Sequence, residues 1–384
     1  MIPYSRQLIT QEDIEAVVEV LRSDFITQGP KIREFEEALA SFCGARFAVV
    51  FSSGTAALHA AYFAAGLSAG DEFIVPAITF CATANAGVFL GARPIFCDVE
   101  SDTGNLDPGE LEKVVSSRTK LIVPVHYAGH PVDLEAIAEI AERKGAIVIE
   151  DACHALGAEY QGERIGSCRF SLMTVFSFHP VKPITTGEGG AVLTNSEECY
   201  RKLCMFREHG ITREPAEFKH PSPGPWYYEM QFLGWNYRMT DFQAALGISQ
   251  LRKLPEFIRR RRMLAELYRE LLSGNPHLEL PPERSYARSG YHLFPVRLKG
   301  ETASRKGELF RRLRERGVGV QVHYLPVYLH PFYRRLGYAP GLCPQAEEFY
   351  RRELSLPLYP GLKEEDLRRV VEILNRTLEE VVGE

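Results

Sequence analysis

The chain has 384 residues, of which 45% are hydrophobic and 25% charged, proportions that are ordinary for a globular protein with a sizeable core. Its length predicts two domains, or one large α/β domain with an appendage. The 45 basic and 50 acidic side chains give a net charge of −5. This charge argues against nucleic acid as a partner, because phosphate binding needs a basic face.

The sequence argues against a signal peptide, a membrane span, a zinc site and disulfides. The N-terminal stretch "MIPYSRQLITQEDIEAVVEVL" has no apolar run behind a basic start, so we expect no signal peptide. No stretch reaches about 18 uninterrupted apolar residues, so no membrane span is expected. Several cysteines lie inside apolar runs, and buried free thiols in a reducing cytoplasm are their simplest account, so we expect a cytoplasmic location. The eight cysteines are scattered without a CxxC pair, which argues against zinc and disulfides; we expect no metal.

Between residues 46 and 195, short β-rich apolar runs alternate with helical patterns. The predicted strands lie in "FAVVFSS", "DEFIVPAITF", "RPIFCDV", "KLIVPVHYA", "AIVIEDA", "LMTVFSF" and "GGAVLTN". The predicted helices lie in "GTAALHAAYFAAGL", "CATANAGVFLGA" and "DLEAIAEIAERKG". Apolar strands that alternate with amphipathic helices indicate the α/β class, with a mostly parallel sheet covered on both faces.

The C-terminal part of the chain has a different pattern. A charged helical stretch at 241–274 predicts a long helix that leads into a second region. That region is predicted to be a small α+β domain, with strands in "YHLFPVRL" and "VGVQVHYL" and helices in "RKGELFRRLRERG" and "KEEDLRRVVEILNRTLEEV". We therefore divide the chain into a large domain at 1–250, including an N-terminal segment, and a small domain at 251–384.

The stretch "FSSGTAALHAA" predicts an anion site at the start of a helix. A strand ends there, and the free N–H groups and positive dipole end of the following helix converge at the turn. Gly54 allows close backbone approach, and Ser53 or Thr55 can cap the helix. Taken alone, this stretch is equally compatible with a plain helix cap that binds no ligand.

A second candidate lies in "IVIEDACHALGA", where Asp151 ends a predicted buried strand. Site residues of open α/β sheets usually lie at such strand ends, and a buried aspartate is costly unless it meets a cation. His154 lies about one turn further on. The alternatives are a helix-capping aspartate and a histidine satisfied within the core.

The third candidate is Lys182 in "FSFHPVKPITTGEGG", which lies between Pro180 and Pro183. A nucleophilic lysine must be partly neutral, so it needs desolvation or a neighbouring cation, and it must be held in place. The prolines and aromatic neighbours supply rigidity and dry surroundings. Ser177, five residues earlier, can bind the same anion as Gly54 and Thr55. Without its context, Lys182 is more typical of a surface ion pair.

Together, these candidates match a phosphorylated pyridine aldehyde. The helix start takes the phosphate, the carboxylate of Asp151 keeps the pyridine nitrogen protonated, and Lys182 forms a Schiff base with the aldehyde. Phe80, at a predicted strand end, is available to cover the ring.

The motifs "ITQGP", "SSGTAALH", "PAITFCATANA", "EDACHALGA", "FSFHPVKPITTGEGG", "REHGI" and "GWNYRMTDFQAALG" occur in order along nearly the whole chain. In this respect the sequence resembles the DegT/DnrJ/EryC1/StrS family of PLP-dependent sugar aminotransferases. The resemblance implies the fold type I (aspartate aminotransferase-like) architecture. It also implies pyridoxal 5'-phosphate as cofactor, with pyridoxamine 5'-phosphate as its intermediate form.

Residue by residue, the resemblance implies Lys182 as Schiff-base lysine and proton shuttle and Asp151 as the pyridinium partner. His154 would touch the ring hydroxyl and Phe80 would stack on the ring. The implied phosphate ligands are Gly54, Thr55, Ser177 and, from the neighbouring subunit, Asn236. Arg238 would anchor the donor carboxylate, again across the interface, so a homodimer with shared sites is implied.

A narrower resemblance is to the branch that makes UDP-4-amino-4,6-dideoxy-N-acetyl-β-L-altrosamine in pseudaminic acid biosynthesis. It implies ping-pong transfer of an amino group from L-glutamate to C4 of a UDP-linked 4-keto-6-deoxy-N-acetylhexosamine. The alternatives are a dTDP- or GDP-linked 3- or 4-keto sugar as acceptor and, remotely, a non-catalytic PLP-binding regulator. The candidate sugar contacts, each of which could instead serve interdomain packing, are Tyr4, Arg6, Thr27, Gln28, His323 and Tyr324.

Overall fold

The computed structural model describes residues 1–383. Its helices are α1 (Gln11–Leu21), α2 (Pro30–Cys43), α3 (Gly54–Ala64), α4 (Cys81–Phe89), α5 (Pro108–Val114), α6 (Leu134–Lys144), α7 (Glu197–Arg207), α8 (Asp241–Leu272), α9 (Gly300–Ser304), α10 (Lys306–Glu315), α11 (Pro331–Arg335), α12 (Pro344–Arg352) and α13 (Glu364–Gly383).

The strands fall into one large sheet and several small ones. They are β1 (Phe47–Phe51), β2 (Glu72–Pro76), β3 (Arg93–Cys97), β4 (Thr119–Ile122), β5 (Ile147–Asp151), β6 (Glu159–Tyr160), β7 (Glu163–Arg164), β8 (Met173–Ser177), β9 (Gly190–Thr194), β10 (Ile211–Thr212), β11 (Glu229–Met230), β12 (Leu278–Glu279), β13 (Ala287–Arg288), β14 (Phe294–Leu298) and β15 (Glu353–Leu356).

The seven-stranded central sheet has the order β1-β9-β8-β5-β4-β2-β3. Neighbouring strands from β8 to β3 are parallel, whereas β9 is antiparallel to both β1 and β8. All strands except β9 therefore point the same way, and their carboxyl ends lie along one edge. The predicted mostly parallel α/β sheet is confirmed, and that edge is where ligands bind in such folds.

Three apolar clusters form the core. Two pack on the central sheet, and the third, drawn from residues 264–381, packs the sheet β12-β14-β15 against α10 and α13. The third cluster is the small α+β unit expected from the C-terminal pattern. Helix α8 runs through residue 250 without a break and contributes to both the second and third clusters. The domain division at 250 stays a prediction.

The predicted strand in "VGVQVHYL" is wrong. Its β-branched residues alternate, but the segment divides its backbone hydrogen bonds between two partners, so no ladder develops. Gly319 donates to the Ile2 carbonyl at 2.8 Å, while Gln321 and Ser355 exchange bonds of 3.3 and 2.8 Å. Only isolated bridges result, and residues 322–326 form a loop.

None of the helices within residues 1–383 combines the length and the apolar character that a membrane span requires. In the same range, no group of three or more His, Cys, Asp or Glu side chains is arranged to hold a metal ion.

Candidate active site

A cavity of about 520 Å³ opens at the carboxyl edge of the central sheet. Its walls come from the ends of β1, β5 and β8, the start of α4, the N-terminal segment and the loop at 321–324. Ten of the residues proposed from the sequence line it: Tyr4, Gly54, Thr55, Phe80, Asp151, His154, Ser177, Lys182, His323 and Tyr324. The strand ends therefore bring residues from distant parts of the chain into one cavity, as the sequence predicted.

Five other proposed residues lie outside this cavity. Gln28 and Arg238 line a second cavity of about 760 Å³ beside α2. Thr27 is exposed and bridges Thr240, and Asn236 is exposed and bridges Glu208. Arg6 borders a small recess behind the site lysine. Their roles stay predictions, and those assigned to Asn236 and Arg238 require a second subunit.

The anion end of the cavity is built from the start of α3 and the end of β8. The side chain of Ser53 caps the helix by accepting from Ala56 N at 3.1 Å. Gly54 and Thr55 follow, where helical N–H groups have no intrahelical acceptor. A Cβ at Gly54 would lie 2.8 Å from Ser177 Cβ and 3.0 Å from its Oγ. Glycine thus allows a hydroxyl and two backbone N–H groups to converge on one small anion.

Asp151 is 4% exposed and is held at both carboxylate oxygens. Its Oδ1 accepts from Cys153 N at 3.1 Å, and its Oδ2 accepts from Thr83 Oγ1 at 2.7 Å. Thr83 Oγ1 also lies 2.7 Å from Thr79 Oγ1. The two threonines lie one turn apart near the start of α4, so that helix fixes the rotamer of the carboxylate and leaves it facing the cavity.

Lys182 lies in a turn closed by its own N–H, which donates to His179 O at 2.8 Å. Its side chain is half-buried. Burial lowers the pKa of the Lys182 ammonium, and the nearby Cys153 and Asp151 oppose that shift. A lysine with a lowered pKa has a larger neutral fraction, which is the form that attacks carbonyl carbon.

His154 lies next to the lysine and stays neutral. Burial lowers its pKa well below the usual value, and the charge of Lys182 adds to the effect. Its Nε2 lies 3.2 Å from the hydroxyl of Tyr324, while its Nδ1 is buried without a partner among residues 1–383. The ring of His292 lies 4.3 Å away between centroids. A neutral imidazole beside the cavity is suited to share a hydrogen bond with a ring hydroxyl.

Sequence reasoning missed several residues of this site, notably Thr79, Thr83, His179 and His292. The threonines lie four residues apart in the quoted "PAITFCATANA" stretch, one just before α4 and one in its first turn, so this signal was available. No such signal pointed to His292, which lies at the start of the predicted strand "YHLFPVRL".

The residues present fit pyridoxal phosphate. The start of α3 with Ser177 suits a phosphate, Asp151 suits a protonated pyridine nitrogen, and Lys182 suits an aldehyde. Phe80 is 56% exposed although it is a large apolar side chain at the cavity wall, which leaves its face free for a planar ring.

Comparisons with known proteins agree with this geometry. The model of the DegT/DnrJ/EryC1/StrS aminotransferase family matches residues 7–375. The chain belongs to this family. A relative from Campylobacter jejuni, named UDP-4-amino-4,6-dideoxy-N-acetyl-beta-L-altrosamine transaminase, is 39% identical over 99% of this chain and 98% of its own length.

Solved structures extend the likeness to the fold. Helicobacter pylori PseC, an aminotransferase involved in the biosynthesis of pseudoaminic acid, has a TM-score of 0.93 and 37% identity, with 99% of each chain covered. The PMP form of the putative sugar aminotransferase Spr1654 from Streptococcus pneumoniae has a TM-score of 0.94 and 30% identity, covering 99% of this chain and 100% of its own. The protein is therefore a PLP-dependent aminotransferase with the fold type I architecture.

Replacing Thr83 with valine tests whether α4 positions Asp151 in the aminotransferase. Loss of one hydroxyl donor to the carboxylate is expected to weaken cofactor binding about 10–100-fold, because a hydrogen bond to a charged group contributes about 1.5–3 kcal/mol. Thr83→Ser keeps the hydroxyl and should bind normally. Fluorescence titration of the apoenzyme with cofactor measures this, and equal affinity of both variants would contradict the role.

Proposed function

We propose that the aminotransferase moves an amino group from L-glutamate to C4 of a UDP-linked 4-keto-6-deoxy-N-acetylhexosamine. The products are UDP-4-amino-4,6-dideoxy-N-acetyl-β-L-altrosamine and 2-oxoglutarate. The observation that carries amino transfer is the convergence of Lys182, Asp151, Gly54 and Ser177 on one cavity. The choice of sugar nucleotide is supported by the names of relatives at 37–39% identity.

When bound, pyridoxal phosphate supplies a carbonyl for amine exchange and a ring that accepts electrons. The chain's residues bind and orient the group and move protons. Asp151 holds a proton on the pyridine nitrogen, and Phe80 packs on the ring. Lys182 Nζ takes the proton from the α-carbon of the donor and later delivers one to C4 of the sugar.

The sugar side of the cavity has an aromatic wall. The rings of Phe80 and Tyr324 lie 6.2 Å apart, and those of Tyr4 and His323 lie 5.5 Å apart. A volume of about 520 Å³ leaves room for a sugar beside the cofactor. We assign Tyr4, His323 and Tyr324 to the sugar ring, since they line the same wall and come from segments outside the central sheet.

We also propose a homodimer with shared sites. The exposed apolar surface at 226–235 consists of Trp226, Tyr228, Met230, Leu233 and Trp235, which are between 48% and 78% exposed. So many large apolar side chains in one short segment indicate a protein partner. Asn236 follows this surface directly and Arg238 lies two residues further on, so a second copy seated there is placed to receive both residues.

The dimer is tested by Leu233→Asp. A charge buried at the centre of an interface is expected to weaken association about 100-fold or more, and cofactor affinity should fall with it because Asn236 is then withdrawn. Light scattering and cofactor titration measure the two effects. Phe332→Asp, which changes a 47% exposed side chain on α11, should alter neither. A monomeric Leu233→Asp with full turnover would refute the shared site.

The remaining alternatives differ in the acceptor. A dTDP- or GDP-linked keto sugar would use the same chemistry, whereas a non-catalytic regulator would need neither Lys182 nor Asp151 in working positions. We would measure kcat/KM for UDP-, dTDP- and GDP-linked 3- and 4-keto sugars. The proposal predicts at least a tenfold preference for the UDP-linked 4-keto-N-acetylhexosamine. A higher kcat/KM for a sugar with another nucleotide, or with its ketone at another carbon, would show that the named substrate is wrong.

A further inference from the structure

A buried hydrogen-bonded chain leads from the cavity into the small unit, and the mechanism above does not use it. His323 lines the cavity, and its Nδ1 lies 2.8 Å from Ser355 Oγ. Ser355 Oγ in turn lies at hydrogen-bond distance, 2.5 Å, from Glu353 Oε1. Both Glu353 and Ser355 are fully buried on β15, and the two-residue period of a strand puts them on the same face.

His323 is pinned at three points. Besides the ring contact, its backbone N–H donates to Glu353 Oε2 at 2.8 Å, and its carbonyl accepts from the hydroxyl of Tyr127 at 2.6 Å. In contrast, Nε2 has no hydrogen-bond partner among residues 1–383, and this atom is accessible to solvent. The imidazole is therefore fixed with one nitrogen in the chain and the other left accessible beside the cavity.

We propose that His323 is a second acid–base residue of this site and exchanges protons at Nε2 through a Ser355–Glu353 relay. When Glu353 is protonated, Oε1–H donates to Ser355 Oγ, whose own proton is donated to Nδ1, so Nε2 carries a proton. When Nε2–H gives that proton to the substrate, the Ser355 proton moves to Nδ1 and the Glu353 proton moves to Ser355. Glu353 becomes a carboxylate and His323 stays neutral, so the protons balance.

The relay suits a histidine that cannot carry charge. Burial, together with the charge of Lys182, lowers the pKa of His323 to about 3, so an imidazolium does not form near neutral pH. Burial raises the pKa of Glu353 to about 8, so its carboxyl is available as a proton donor at pH 7. Because the pKa of Glu353 in the folded protein lies above the ordinary value, its neutral carboxyl contributes to the stability of the fold. That contribution is lost as the pH rises through about 8.

Other titratable groups face the relay from every side. Those near the carboxyl of Glu353 are Lys306 on α10, Tyr127 and Tyr324, and Arg297 is the cross-strand partner of Glu353 on β14. Those near the imidazole of His323 are Lys182, Tyr4, His154 and His292. Lys306 lowers the pKa of Glu353 against the larger effect of burial, and Lys182 disfavours a second cation at His323.

The chemistry calls for such a residue. Conversion of a ketone to an amine expels the ketone oxygen as water, and the return reaction adds water, so each direction moves a proton at oxygen. Lys182 Nζ already moves the proton at carbon. His323 Nε2 moves the proton at the oxygen, and this role rests on the proposed amino transfer.

The test compares holoenzymes of Ser355→Ala, Glu353→Gln and Ser249→Ala. Ser249 is the matched control, since it is another buried serine that is hydrogen-bonded to an acidic side chain. It donates to Asp13 Oδ1 at 2.6 Å, outside the cavity. Infrared spectra should show a carboxylic C=O band in the wild type that disappears as the pH rises through about 8. Glu353→Gln should lack the band, Ser355→Ala should shift it, and Ser249→Ala should leave it unchanged.

Rapid mixing with L-glutamate, followed by cofactor absorbance, gives the second readout and needs no sugar. Both relay variants are expected to react about 10–100-fold more slowly with unchanged cofactor affinity, and Ser355→Thr should recover rate because it keeps a hydroxyl. Rates equal to that of Ser249→Ala, or a wild-type spectrum without the band, would overturn the relay. A wild type that ignores glutamate would refute the proposed donor instead, and the infrared result would then decide the relay alone.

Discussion

Replacing Lys182 with alanine is expected to reduce turnover by at least about 10³-fold, because one change removes both roles proposed for this side chain, the covalent attachment of the cofactor and the transfer of the proton. The cavity offers no substitute amine among its lining residues. Cofactor should still bind through its phosphate and ring, but reversibly. Steady-state turnover, together with dialysis of the coloured protein, measures the two losses separately.

The control for this change is Lys202→Ala. Lys202 lies on α7 and pairs with Glu198 at 2.8 Å, away from the cavity. It should keep both turnover and colour, since exposed ion pairs contribute little. A Lys182→Ala enzyme with more than about a tenth of wild-type turnover would show that another group does the chemistry.

Replacing Asp151 with asparagine is expected to have the second largest effect. Asparagine keeps the shape of the side chain but removes the negative charge that we propose holds a proton on the pyridine nitrogen. We expect turnover to fall about 10²–10³-fold, as is typical when a preorganised charge partner is removed from a dry site. The absorbance of the bound cofactor should also change, because the ring then binds without its proton.

Asp98→Asn is the matched control for the loss of a buried carboxylate. Asp98 follows β3 directly and accepts from Gln345 N at 2.9 Å and Ala346 N at 2.8 Å. This variant should lose thermal stability but keep the cofactor spectrum and the turnover of the folded enzyme. Unchanged cofactor absorbance and unchanged turnover in Asp151→Asn would contradict the proposed role of Asp151.

The central sheet and the core of the site were predictable because both follow from local pattern. A continuous apolar run ends at Asp151, and another ends near Ser177 and Lys182, so the parallel arrangement alone brings them together. Gly54 was predictable from the strand-to-helix turn. Phe80 was named from its strand end, and its large exposed fraction agrees with a role at the cavity wall.

What the sequence did not reveal depends on pairing between distant segments. The alternation in "VGVQVHYL" predicted a strand, but its partners are Ile2 and Ser355, far away in the chain and on different sides. The Glu353–Ser355–His323 chain follows from the same pairing. Asn236 and Arg238 lie outside the cavity, and their predicted roles depend on the proposed second copy of the chain, which no local pattern describes.

Transfer of ¹⁵N from labelled L-glutamate tests the central claim most directly. Purified enzyme, cofactor and the UDP-linked 4-keto-6-deoxy-N-acetylhexosamine are incubated, and the sugar nucleotide is analysed by mass spectrometry. We predict that the label appears in the 4-amino sugar with wild-type enzyme and is absent with Lys182→Ala. An unlabelled sugar nucleotide from an active, cofactor-loaded wild type, or label transferred equally well by Lys182→Ala, would contradict the account.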